Sequence, residues 1–196
     1  GLVTVFDSLA IVRQFVYEEK RISMETLVNA LAADWVGYDE LLAQIKRDGC
    51  YFGNDDDISN SCVKRYADSV TAFFAGKTSD LGYCFLTGNL IGYNQHHTFF
   101  GRELMATPDG RHAGEPISYG ICQGGDRDRE GLTALLSSIA KATSNTIFCG
   151  STVTNITIDE QLVKNDDNFE KTVDMLETYF KNGGVHFQLT YVSKED

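Results

Sequence analysis

The sequence predicts an α/β protein, and two observations carry that reading. From residue 81 onward, β-prone runs alternate with amphipathic ones in the order strand, helix, strand, helix, strand, the order in which helices cover a sheet. Residues 1–80 hold instead a succession of amphipathic runs, which read as a helical layer lying over something. No repeat, linker or composition break divides the chain, so residues 1–196 are expected to form one body, with 1–80 mostly helical and 81–196 carrying the sheet.

Residues 3–19 space Val5, Leu9, Val12, Phe15 and Val16 at helical steps, predicting one apolar face. Ser23 stands where a helix cap belongs, with Leu27, Ala30 and Leu31 as the buried face of the helix that follows. Tyr38 to Arg47 repeats the pattern through Leu41, Leu42 and Ile45. After Gly53-Asn54-Asp55-Asp56-Asp57 a further helix runs from Ile58 to Gly76 on Val63, Tyr66, Val70 and Phe73. The aspartate run lacks the alternation, glycine and closing glutamate of a calcium-binding EF-hand loop, so its acids are read as capping a helix start.

Leu81 to Phe100 is rich in Tyr83, Phe85, Leu86, Ile91, Tyr93, Thr98 and Phe99 and predicts strand, leading into a Thr107-Pro108-Asp109-Gly110 turn. A helix is expected over about 132–143, a strand over Ser151–Ile158, and a helix over about 168–182 with Phe169, Val173, Leu176 and Phe180 on one face. Gly183-Gly184 ends that helix, and Val185–Val192 forms the last strand.

Composition excludes several classes of function. The chain has 28 acidic and 17 basic residues and a net charge of −11, so no broad basic surface awaits nucleic acid. No apolar run reaches the length of a membrane span, and no signal-peptide pattern opens the chain. The cysteines at 50, 62, 84, 122 and 149 are odd in number and lack any C-x-x-C pair, which fits reduced thiols in a cytoplasmic protein and no metal site.

Gly124-Gly125-Asp126-Arg127-Asp128-Arg129-Glu130-Gly131 runs into a helix, yet matches neither nucleotide-binding glycine pattern and carries acids that repel phosphate. It reads as a turn and helix cap. Of His96 and His97, one is expected near a pocket and the other packed behind it, since neighbours on a strand face opposite ways.

Several stretches together resemble the pyruvate formate-lyase-like family of glycyl radical enzymes. They are Gly53 to Asp57; His97 with Phe100-Gly101 and Ala106 to Arg111; Gly125-Asp126 with Gly131, Thr133-Ala134, Ser137 and Ala140-Lys141; and Gly183-Gly184 with His186, Gln188 and Val192-Ser193. They occur in the family's order from roughly the second helix to the end. Leu132 stands where many members have proline, and Thr190 where many have asparagine.

The resemblance implies part of a ten-stranded α/β barrel, its second half-barrel with surrounding helices. It implies a glycyl radical, installed by a radical-SAM activating enzyme, that makes a cysteine thiyl radical which takes hydrogen from a small-molecule substrate. The dehydratase and lyase branch is favoured over formate acetyltransferase. The catalytic cysteine is expected upstream of the Gly-Asn-Asp-Asp-Asp stretch and the radical glycine beyond the final strand. No catalytic residue is therefore expected among these 196, which alone should be inactive, and no cofactor or metal is bound by them. The remaining barrel and a homo-oligomer are the implied protein partners. The strand before the turn becomes the pocket wall, with Asn94, His96 and Thr98 as the inward face and Tyr93, Gln95 and His97 as the alternative. A non-catalytic acidic scaffold descended from such an enzyme is the competing reading.

Overall fold

The computed structural model describes residues 1–82, 95–121, 125, 127–143, 154–162 and 164–192. Four helices open the chain: α1, Leu2–Ile11; α2, Met24–Ala32; α3, Asp39–Asp48; and α4, Asp57–Phe74. Then follow α5, His96–Arg102; α6, Gly131–Thr143; strand β1, Asn155–Asp159; α7, Asp166–Lys181; and strand β2, Gln188–Val192. The two strands pair in parallel with Asn155 opposite Gln188, so α7 is the crossover of a β-α-β unit.

The caps are those that local chemistry asks for. Ser23 accepts a hydrogen bond from the Thr26 N–H at 3.0 Å. Asp56 accepts from Ile58 and Ser59 N–H at 2.8 and 3.0 Å, so the middle aspartate of the run is the helix cap. At the end of α7, Gly183 takes φ +99. The Gly184 N–H then donates to the Tyr179 carbonyl and the Gly183 N–H to that of Phe180. This is the Schellman arrangement that a left-handed glycine permits.

α1 packs on α4, α4 on α6 and α6 on α7. One core gathers Val3 and Phe6 of α1, Val63 of α4, Leu135 and Ile139 of α6 and Ile156 and Ile158 of β1, with Phe52 from the segment after α3. A second lies under α2 and α3, where Ile11, Phe15, Leu27, Trp35, Ile45 and Tyr51 meet Ala106.

Three expectations need correction. The first helix does not run evenly through residue 19: α1 widens into a π-helical stretch, Val12–Glu18. There the buried Gln14 side chain accepts from the Cys50 N–H and donates to the Asp48 carbonyl. Its buried face is also turned, because Val3, Phe6 and Ala10 are enclosed while Val5 and Leu9 are exposed. α1 is apolar on more than one side, and such a helix does not announce which side meets the core.

α7 shows the same effect. Tyr179 and Thr172 are enclosed, whereas Phe169, Val173 and Phe180 of the expected face are exposed.

The third correction concerns 81–100. Residues 96–102 are helical, with the Phe99 N–H bonded to the Gln95 carbonyl at 2.8 Å. The rings of His96 and Phe100 lie 5.8 Å apart, a contact between residues four apart that one helical turn allows and a strand would stretch beyond reach. Gly101 lets α5 press on the chain at 115–116, where a Cβ would stand 2.2 Å from the Glu115 carbonyl oxygen. Tertiary docking overrides the aromatic content of the run. Positions 83–94 lie outside the described residues.

Candidate functional site

The Thr107 to Arg111 turn is the centre to which distant segments converge. The Gly110 N–H donates to the Thr107 carbonyl and the Thr107 N–H to that of Arg111, with Gly110 at φ +88. Arg111 folds back inside the turn, donating to the Thr107 hydroxyl and to the carbonyls of His112, Glu115 and Met105. Its own carbonyl accepts from Trp35 Nε1 at 3.3 Å, and Tyr51 Oη lies 3.2 Å from the Asp109 carbonyl oxygen.

Beneath the turn is a buried ion cluster. Arg127 Nη1 donates to Asp109 Oδ2 at 2.7 Å and to Asp7 Oδ2 at 3.0 Å. Asp7 is fully buried and Asp109 is 1% exposed. Asp7 Oδ1 also accepts from the Phe52 N–H. Burial pushes the Asp7 carboxyl up to about 7, against the pull of Arg127. Burial works to lower Arg127, but Asp109 and Asp7 outweigh it and hold the guanidinium above its ordinary value. Its Cζ lies 4.7 Å from the centre of the Tyr51 ring.

The Gly53 to Asp57 stretch ties this cluster to α6. Asn54 Nδ2 donates to the carbonyls of Tyr51 and Arg127, while its Oδ1 accepts from Arg129 and Glu130 N–H. Those amides, which a phosphate cradle would need, are thus already engaged. Asp55 pairs with Lys141 and Ser137, and its N–H donates to Ser138 Oγ. Burial opposes the charge of Asp55, yet Lys141, Asn60 and Ser137 together hold its carboxyl below the usual range. A cavity of about 650 Å³ opens beside the turn, walled by Tyr51, Asp109, Arg127, Thr4, Ser118 and Tyr119 among others.

The proposed pocket residues fare differently. Asn94 lies outside the described residues. His96 and Thr98 sit on α5 two positions apart, about 200° around a helix, so they do not share the face that a strand would have given them. His96 is exposed and Thr98 half-buried. His97 is the packed histidine, its ring 5.2 Å from that of Tyr119, and its buried Nδ1 has no hydrogen-bond partner among the described residues.

Burial, helped by Asp56, pushes the Cys50 thiol up to about 12, and burial raises that of Cys62 as well. Neither is poised as a thiolate. Cys84, Cys122 and Cys149 lie outside the described residues.

Asp7 and Tyr51 escaped the sequence reading, and Arg127 entered it only as part of a loop. The signal for Asp7 was available: it is an acid among the apolar positions of the first helix, where a charge is kept only with a partner.

Two family models match: pyruvate formate lyase-like over residues 1–92 and glycine radical over residues 118–196. The isethionate sulfite-lyase of Desulfovibrio desulfuricans is 33% identical over 99% of this chain and 23% of its own length. The chain superimposes over its whole length on the hydroxyproline dehydratase of Clostridioides difficile with trans-4-hydroxy-L-proline bound. There the TM-score is 0.89 at 27% identity, with 24% of that chain covered. The glycerol-bound B12-independent glycerol dehydratase of Clostridium butyricum gives a TM-score of 0.85 at 26% identity, again over all of this chain and 24% of the other. The chain thus spans about a quarter of the length of the relatives it matches. With its motifs, its helices over a parallel strand pair and both family models in agreement, the chain belongs to the pyruvate formate-lyase-like family of glycyl radical enzymes.

Proposed function

We propose that this chain is part of the second half-barrel of an anaerobic glycyl radical enzyme of the dehydratase or lyase type, acting on a small polar substrate. The observation that carries the reading is the full-length superposition on a hydroxyproline dehydratase that holds its substrate. A glycyl radical, installed by a radical-SAM activating enzyme, would supply the hydrogen abstraction that starts such reactions. The working protein is then a cytoplasmic homo-oligomer.

The part proposed for this chain is to bind and shape. Asn94, His96 and Thr98 are proposed to line the substrate pocket; with His96 and Thr98 about 200° apart on α5, Thr98 is given the direct contact and His96 a place at the rim. The Arg111 and Arg127 networks hold that wall in place and help keep water from reactive intermediates. Amide, imidazole and hydroxyl groups suit polyols, hydroxy amino acids or sulfonated alcohols better than hydrocarbons. The radical and the thiyl cysteine are assigned to none of the described residues.

The test uses the full-length protein containing this stretch, activated anaerobically and observed by electron paramagnetic resonance. Its substrate panel comprises glycerol, trans-4-hydroxy-L-proline, isethionate and quaternary amines. A glycyl radical signal with product from one of these is expected. Absence of any radical with an activating enzyme that works on a known relative would overturn the reading in favour of a scaffold.

A further inference from the structure

We propose that Asp7 keeps a proton beside Asp109 and Arg127, and that the seat of the Thr107 to Arg111 turn loosens when that proton leaves. The geometry is unusual in one respect: both carboxylates bond to the same guanidinium nitrogen, at 3.0 and 2.7 Å. Both are enclosed. One guanidinium balances one carboxylate, and a second buried anion is costly enough that it is relieved by keeping a proton. Asp7 is the carboxyl enclosed in the helix core, with one backbone N–H besides the guanidinium, and the proton is placed on it.

Among the described residues no second cation stands at bonding distance to Asp7. Its partners are the Phe52 N–H from the segment after α3 and Arg127 from the loop before α6. Asp109 of the turn is the other charged group that acts on it. The Tyr51 phenol is pushed up by burial and stays neutral. Arg129 stands beyond it, 5.6 Å from the ring centre, and spends its own donors on the carbonyls of Lys46 and Arg47. The raised value of the Asp7 carboxyl agrees with a retained proton.

The turn transmits what happens there. Arg111 carries it to Met105 and Glu115, Gly101 rests against the chain at 115–116, and the Ile117 N–H donates to the His97 carbonyl at 3.2 Å. A turn that lifts from Asp7 therefore loosens its hold on α5. This inference concerns the chain's own proton balance and stands whether or not the protein bears a radical.

Amide hydrogen exchange in the intact protein tests it, followed at Thr107, Gly110 and Ile117. After correction for base catalysis, opening is expected to rise by up to about tenfold per pH unit between about pH 4 and 7 and to level off above, where closed and open states have both lost the proton. Asp7→Asn and Asp109→Asn should each abolish that rise, because one carboxylate then faces one guanidinium. A rise that persists in both variants overturns the proposal. Because a variant can fail to fold, aspartate carboxyl carbons are also titrated by NMR in the unaltered protein. One midpoint near neutrality, that of Asp7, is expected, and all midpoints in the ordinary aspartate range would refute the retained proton.

Discussion

Asn54 Oδ1 lies 2.6 Å from the Arg129 nitrogen, across 75 positions of chain. This one side chain closes the loop before α6 onto the start of α4, accepting two N–H groups and donating to two carbonyls. Asn54→Ala leaves those groups without partners and is expected to cost about 2–4 kcal/mol. Asn54→Asp keeps the acceptor and should recover part of the loss. Urea unfolding of the intact protein measures both, and equal losses for the two would contradict the acceptor role.

Arg127→Met leaves the buried Asp7 and Asp109 side chains without their cation. Removing one member of a buried charge cluster costs about 3–5 kcal/mol. Adding Asp7→Asn and Asp109→Asn to the same protein should return most of it, since no buried charge then remains. Additive losses in a denaturant series would show that the cluster is not coupled.

Stability should depend on pH in a direction set by Asp7. Its carboxyl rises from 3.8 to about 7 on folding, so the folded state holds the extra proton between those values. The contribution of this group is fully present below about 4 and is lost as pH climbs through about 7. Asp48 works oppositely: Arg47 and Arg21 hold it at about 2, so its contribution is lost only in strong acid. The stability of Asp7→Asn relative to the unaltered protein should therefore improve steadily between about pH 4 and 7. Unfolding midpoints across that window decide it, and a difference independent of pH would remove the retained proton.

Gly101→Ala places a Cβ against the Glu115 carbonyl oxygen and the Pro116 backbone, where neither neighbour can yield as a flexible side chain would. A cost of about 1–3 kcal/mol is expected from overpacking. Faster exchange at the Ile117 N–H, which bonds to α5, should accompany it. A neutral substitution would mean that α5 does not dock as described.

Thr98→Val removes a hydroxyl from the sheltered side of α5 at nearly constant volume. In the activated full-length enzyme, KM should rise about tenfold if that hydroxyl binds substrate. The glycyl radical yield should stay unchanged. Steady-state kinetics with spin quantitation separate the two, and an unaltered KM would take Thr98 out of the pocket.

Local chemistry was enough to place the helices α2, α3, α4, α6 and α7, the Ser23 cap, the glycine stop after α7 and the turn at 107–110. Each is decided within a few residues, by spacing, a side-chain oxygen or a backbone that needs glycine. The family was legible for a similar reason, because its motifs are short and occur in order.

What the tertiary structure alone decided is which side of each apolar helix turns inward, and that residues 96–102 coil where aromatic content suggested a strand. It also decided that Asp7, Asp109 and Arg127 are one object. Burial and charge pairing between residues up to 120 positions apart leave no periodic trace in a sequence, because their energy depends on distance in space and on the water excluded around them.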